Sequence, residues 1–132
     1  MKTINNNITE LKENQIFVFG SNLSGMHGGG AALTALNWGA KMGQGVGLQG
    51  RTYAIPTKSY HAINTLQLAT IKEYVDIFIA FAKYHPELEF LVTEIGCGLA
   101  GLKVSEVAPL FKDALDQENI ILPNRFFEYL NL

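Results

Sequence analysis

Thirteen glycines occur in this chain, and they are not scattered. Ten lie between Gly20 and Gly50, and the other three are Gly96, Gly98 and Gly101. Glycine serves where backbone must turn sharply or let another group come close, and it weakens regular structure by roughly 0.5–1 kcal/mol relative to alanine. The clusters alternate with apolar segments rather than with serine and proline, so they mark ordered turns and not a flexible linker. The elements between the turns must therefore be short, and they carry the core.

Four apolar runs read as strands. Ile16-Phe17-Val18-Phe19 is continuous and β-branched or aromatic, as a strand covered on both faces should be. Thr52-Tyr53-Ala54-Ile55 is ended by Pro56, Phe90-Leu91-Val92-Thr93-Glu94-Ile95 is the third, and Ile120-Ile121-Leu122 stops at Pro123. Helical periodicity fills the gaps. A short helix follows Gly30 and fades at Gly39. Across 65–84, Leu68, Ile71, Val75, Phe78, Ile79 and Ala82 share one face, with Lys72 and Asp76 one turn apart on the other. Ser105 is placed to cap a third helix, in which Pro109 falls near enough to the start to be tolerated. Alternating strands and helices predict an α/β domain of three layers, α/β/α, around a mainly parallel sheet.

The 132 residues, 48% of them apolar, fit a single domain over 1–132, with a polar N-terminal segment (1–14) and an aromatic C-terminal tail (124–132). The tail, Arg125-Phe126-Phe127-Glu128-Tyr129, either covers a sheet face or supplies a homodimer contact. Ten Lys and Arg against twelve Asp and Glu leave a formal charge of -2, which argues against duplex nucleic acid as a partner. There is no apolar run of ~20 residues to span a membrane and no signal-peptide pattern, so a cytoplasmic location is expected. One cysteine, Cys97, excludes an internal disulfide. Three dispersed histidines, at 27, 61 and 85, lack metal-ligand spacing, so neither metal nor cofactor is expected.

In such sheets ligands sit beyond the carboxyl ends of the strands. Two loops match that position. The first runs from Gly20, Ser21 and Asn22 to His27, Gly28, Gly29, Gly30 and Ala31, where backbone N–H groups and a helix start favour an anion. The second, Gly96-Cys97-Gly98-Leu99-Ala100-Gly101, fits G-x-G-x-x-G. The acidic residue that a dinucleotide fold needs at the end of the next strand is missing, because that strand ends Leu122-Pro123-Asn124. Gly45-Val46-Gly47-Leu48-Gln49-Gly50 repeats the pattern but precedes a strand and is set aside. Two glycine turns at neighbouring strand ends suit two phosphates, or a phosphate and a ribose. The plainer reading is that both are ordinary tight turns.

His27-Gly28-Gly29-Gly30-Ala31-Ala32, Tyr53-Ala54-Ile55-Pro56-Thr57-Lys58 and Glu94-Ile95-Gly96-Cys97-Gly98-Leu99 occur in the order and spacing of a macro domain, the ADP-ribose-binding module. The chain resembles most the branch containing the terminal ADP-ribose glycohydrolase. That resemblance implies a macro-like fold and, as ligand, ADP-ribose or a related nucleotide, free or on an ADP-ribosylated protein. It puts Asn22 and the Gly28–Ala31 turn around the distal ribose and the Gly96–Gly101 loop around the diphosphate. It also gives Lys58 the place of a lysine that attacks the anomeric carbon, chemistry open to a desolvated amine. The branch's partner aspartate is replaced here by Ala100, and the Gly-Asp-Ile signature that many macro domains use near adenine is missing, its place loosely taken by Asn7-Ile8-Thr9-Glu10-Leu11. Glu94 and His61 are the nearest substitutes for the lost carboxylate. Four functions stay open: a binding module with at most weak ADP-ribosyl hydrolase activity, a working hydrolase using Lys58, a non-catalytic structural or interaction domain, and a hydrolase using Cys97. Cys97 and Trp38 each have a simpler reading as packing residues.

Overall fold

A computed structural model of the chain describes Thr3, Ile4 and residues 7–132; Met1, Lys2, Asn5 and Asn6, part of the expected polar segment, lie outside the described residues. The strands are β1 (Thr3–Ile4), β2 (Gln15–Asn22), β3 (Gly47–Gln49), β4 (Thr52–Lys58), β5 (Glu89–Val92) and β6 (Ile120–Pro123). The α-helices are α1 (Gly30–Ala35), α2 (Leu68–Lys83), α3 (Val104–Val107) and α4 (Asn124–Leu130). The six strands form one sheet in the order β1-β6-β5-β2-β4-β3, parallel throughout except for β3 against β4. Helices flank it as a three-layer α/β/α fold. No helix of the described residues is long and apolar enough to cross a membrane.

Strand periodicity divides the core in two. Ile16 and Val18 of β2 face α2, α3 and α4, joining Ile55, Ile71, Val75, Phe78, Phe90, Phe111 and Phe126. Phe17 and Phe19 point the other way, against Ala32 and Ala35 of α1 and the half-buried Trp38. The face of α2 read from the sequence is the buried one, with Ile71, Val75, Phe78 and Ala82 inaccessible to solvent. On its outer face Lys72 Nζ meets Asp76 at 2.9 Å.

Several boundaries depart from expectation for identifiable reasons. β4 does not end at Pro56 but continues to Lys58. Its antiparallel neighbour β3 pairs only with Thr52, Tyr53 and Ala54, so by Pro56 one edge of β4 has no partner and the missing N–H is harmless there. The third strand stops at Val92 rather than Ile95, because Ile95 N–H turns back to Thr93 O at 2.8 Å. α2 begins at Leu68, since Thr65 is instead bridged to Lys58. Ser105 is not a cap: the residue capping α3 is Lys103, whose N–H donates to the Glu106 carboxylate at 2.9 Å. The α-helix lasts only to Val107 and continues as 3-10 turns over Ala108–Asp116, because a proline ring collides with the carbonyl four residues back. The N-terminal segment is more than a polar lead: Thr3–Ile4 adds a strand, and Ile8 and Leu11 pack on the smaller core. The aromatic tail becomes α4 and buries Phe126 against Phe111, 5.6 Å between ring centres.

Candidate functional site

The carboxyl ends of β2, β4 and β5 open into one cleft of about 650 Å³, within the usual range for small-molecule sites. Gly20, Ser21 and Asn22 reach it from β2, and Gly28, Gly29, Gly30 and Ala31 from the first glycine turn. Lys58 comes from the end of β4, and His61 from the turn that follows. Glu94, Gly96, Cys97, Gly98, Leu99 and Ala100 complete the wall opposite. The two glycine loops thus share one cleft. They touch across it, for a β-carbon on Gly29 would sit 3.2 Å from the Leu99 side chain.

Asn22 builds the first turn with its own side chain. Its Oδ1 accepts from Met26 N–H (3.0 Å) and the Ser24 hydroxyl (2.8 Å), and its Nδ2 donates to Met26 O (3.0 Å). That leaves one amide hydrogen for a ligand. The Ser21 hydroxyl is likewise committed, donating to Gly45 O.

His27 is not at the cleft. It is 1% exposed, edge-on to Phe19 with 5.2 Å between ring centres, and Nε2 lies 3.2 Å from Gln49 Oε1. Gln49 cannot be turned over, because its Nε2 donates to Gln44 O and Gly47 O while Oε1 accepts Lys41 N–H. His27 Nε2 is therefore the donor, and Nδ1 is left as a buried acceptor without a partner among the described residues. The residue beside a glycine run is read as facing a ligand; here the turn swings it into the core. Gly101 is also absent from the cleft wall and closes a turn of the second loop at φ +76°, its N–H donating to Gly98 O.

The helix-dipole contribution expected at both loops is small. α1 has six residues and α3 four, too few aligned peptides for a substantial dipole. Unpaired donors remain. Among the described residues, the N–H groups of Gly29, Gly30, Ala31 and Ala32 in the first loop, and of Gly98, Leu99 and Ala100 in the second, have no acceptor. Both sets belong to residues of the cleft wall, and clustered backbone donors suit an anion.

The cleft's titratable groups differ in availability. Arg125 holds Glu94 through both carboxylate oxygens, Nε to Oε2 at 2.6 Å and Nη2 to Oε1, which raises the guanidinium's own pKa. Both carboxylate oxygens of Glu94 are thus engaged by a cation. Burial pushes the Cys97 thiol up, and the Glu94 charge pushes it further, with Arg125 opposing. Lys58 lines the cleft without a carboxylate partner among the described residues.

Sequence reading missed several contributors. Thr57 and Thr93 sit at the carboxyl ends of β4 and β5, a position that the strand-end rule would have flagged. Ile8 and Phe17 form an apolar end of the cleft, and Ala62 lies beside His61. His61 and Ala62 both adopt left-handed backbone, φ 60° and 56°, which costs an L-residue roughly 1–2 kcal/mol each. Trp38 packs on Phe17 at 5.0 Å, away from the cleft wall.

No family model, curated protein or solved structure matches this chain.

Proposed function

We propose that the cleft binds ADP-ribose or a closely related nucleoside diphosphate, and that the domain is a binding module of macro-like type. One observation carries this reading. Gly28 and Gly98, one in each loop, have no left-handed φ, and a β-carbon on either would meet nothing within 4 Å. Neither turn geometry nor packing requires glycine there. A group approaching the backbone from the cleft does, and the unpaired N–H groups beside both positions suit phosphate oxygens. The resemblance to macro domains supplies the rest of the ligand.

Calorimetric titration tests the reading, with ADP-ribose, ADP and NAD each at millimolar concentration. Binding of ADP-ribose is expected; absence of heat with all three removes it. In a thermal-shift assay, ligand at 100-fold its dissociation constant should stabilise the fold by ~2.7 kcal/mol, a rise of several degrees.

A second reading, ADP-ribosyl hydrolase, draws on Lys58 lying in the same cleft. Ala100 supplies no carboxylate and Glu94 is bound to Arg125, which leaves His61, also on the cleft wall, as the candidate for general acid–base help worth ~10²–10⁴ in rate. Turnover of an ADP-ribosylated protein that disappears in Lys58→Ala would favour this reading over simple binding.

A further inference from the structure

Between β4 and α2, residues 59–65 form a closed loop at the mouth of the cleft. Its ends are pinned together: Lys58 and Thr65 form an antiparallel bridge, Ser59 N–H donates to Asn64 O at 2.7 Å, and Leu66 N–H to Thr57 O at 2.8 Å. Two hooks leave it in opposite directions. His61 N–H donates to Ser24 Oγ at 3.0 Å, and the Ser24 hydroxyl passes its hydrogen to Asn22 Oδ1, the atom that organises the first glycine turn. On the other side the Thr65 hydroxyl donates to Ala100 O at 2.8 Å, in the second glycine loop. The hook at His61 coincides with the left-handed pair His61 and Ala62, so the loop holds a conformation that its own residues disfavour. Backbone kept in such a state needs outside restraint, and the two hooks are that restraint.

We propose that segment 59–65 is a clasp that fixes the two glycine loops relative to each other, with Thr65 and Ser24 as positioning residues for whatever the loops bind. The proposal rests on the reading of the cleft as a nucleotide site. Its chemistry is simple. Donors on two separate loops grip one diphosphate only if their spacing is held before the ligand arrives, and a hydroxyl tied to each loop holds it.

The test uses the full chain, with hydrogen exchange of the free protein and calorimetry with ADP-ribose. Thr65→Val keeps the shape of the side chain and removes the donor. It is expected to speed exchange of the Gly101 and Leu102 amides, which donate to Gly98 O and Gly96 O within the second loop, and to weaken ADP-ribose several-fold while the exchange of α2 stays unchanged. Ser24→Ala should do the same to the first loop. Thr65→Ser, which restores the hydroxyl, should recover most of the affinity, as a purely space-filling role for Thr65 would not predict. If the wild-type chain binds ADP-ribose and Thr65→Val binds equally well with unchanged exchange, the clasp is wrong and the ligand reading stands. If the wild-type chain does not bind ADP-ribose, the ligand reading falls and takes the clasp's role in binding with it.

Discussion

Two groups of glycines in this molecule do opposite things. Gly25 and Gly45, packed on backbone beside the first turn, and Gly39 and Gly50, packed on each other, make up the hub glycines of the fold. A β-carbon on Gly45 would lie 2.1 Å from Asn22 O, one on Gly25 2.3 Å from Gln44 N, and Gly39 and Gly50 stack directly on each other. Gly28 and Gly98 face the open cleft with room for a side chain. The hub explains its glycines from within the fold, whereas the cleft pair point to something outside it. The same residue type, in clusters that look alike on paper, thus separates into structural and cleft-facing sets once its surroundings are known.

The hub should break first and hardest. Gly25→Ala adds a collision with backbone to a left-handed φ of 71°. Overpacking of ~1–3 kcal/mol and strain of ~1–2 kcal/mol combine to an expected loss of about 3 kcal/mol, or a melting temperature lower by about 10 °C or more. Gly45→Ala should fall in the same range. Urea titration measures both, and near-native stability in either would erase the distinction between the groups.

Gly28→Ala and Gly98→Ala sharpen it from the other side. Each is expected to leave stability within ~0.5 kcal/mol of the parent chain, as for surface changes that touch nothing. Each should also lower ADP-ribose affinity at least tenfold, which corresponds to ~1.4 kcal/mol of binding free energy. A stability loss as large as the hub's would return these glycines to a packing role. Full stability with full affinity would show that nothing needs to approach them.

Much of this is legible in the sequence. The four main strands, the buried face of α2, and both glycine loops at strand ends follow from periodicity and turn chemistry, because those signals are local. What was not legible depends on partners far along the chain. His27 turns inward because Gln49, twenty-two positions away, receives its Nε2–H. Glu94 is taken by Arg125, and the Thr65 hook reaches Ala100; neither pairing leaves a mark on the residues near it in sequence. The split of α3 at Ala108 traces to Pro109, which falls far enough into the helix to cost it a backbone bond. β3 lies inside the Gly45–Gly50 segment, where its three residues carry too little pattern to mark their antiparallel pairing with β4.

The smallest expected effect lies within the second loop, where the two kinds of glycine meet. Gly96 is required by the fold, with φ +80° and Leu102 3.1 Å from its would-be β-carbon, while Gly98 is not. Cys97 stands between them, and its sulfur lies 3.7 Å from Ile95 O. Burial first, and Glu94 second, raise its pKa, so the neutral thiol is favoured in the folded chain. The sign follows directly: the native state holds this proton more tightly than the unfolded chain does, so the contribution to stability is present at neutral pH. It is lost as pH rises from the ordinary thiol range toward the raised value. Alkylation by iodoacetamide tracks the thiolate. It should be slower at pH 8 than for a small free thiol, and still be accelerating above the ordinary thiol pKa of about 8.5. Glu94→Gln removes a raising charge and should speed the reaction, whereas Arg125→Ala removes the lowering one and should slow it. Fast labelling at neutral pH would mean that this loop presents an activated sulfur instead of a backbone surface, and the Cys97-dependent hydrolase would become the better account of the cleft.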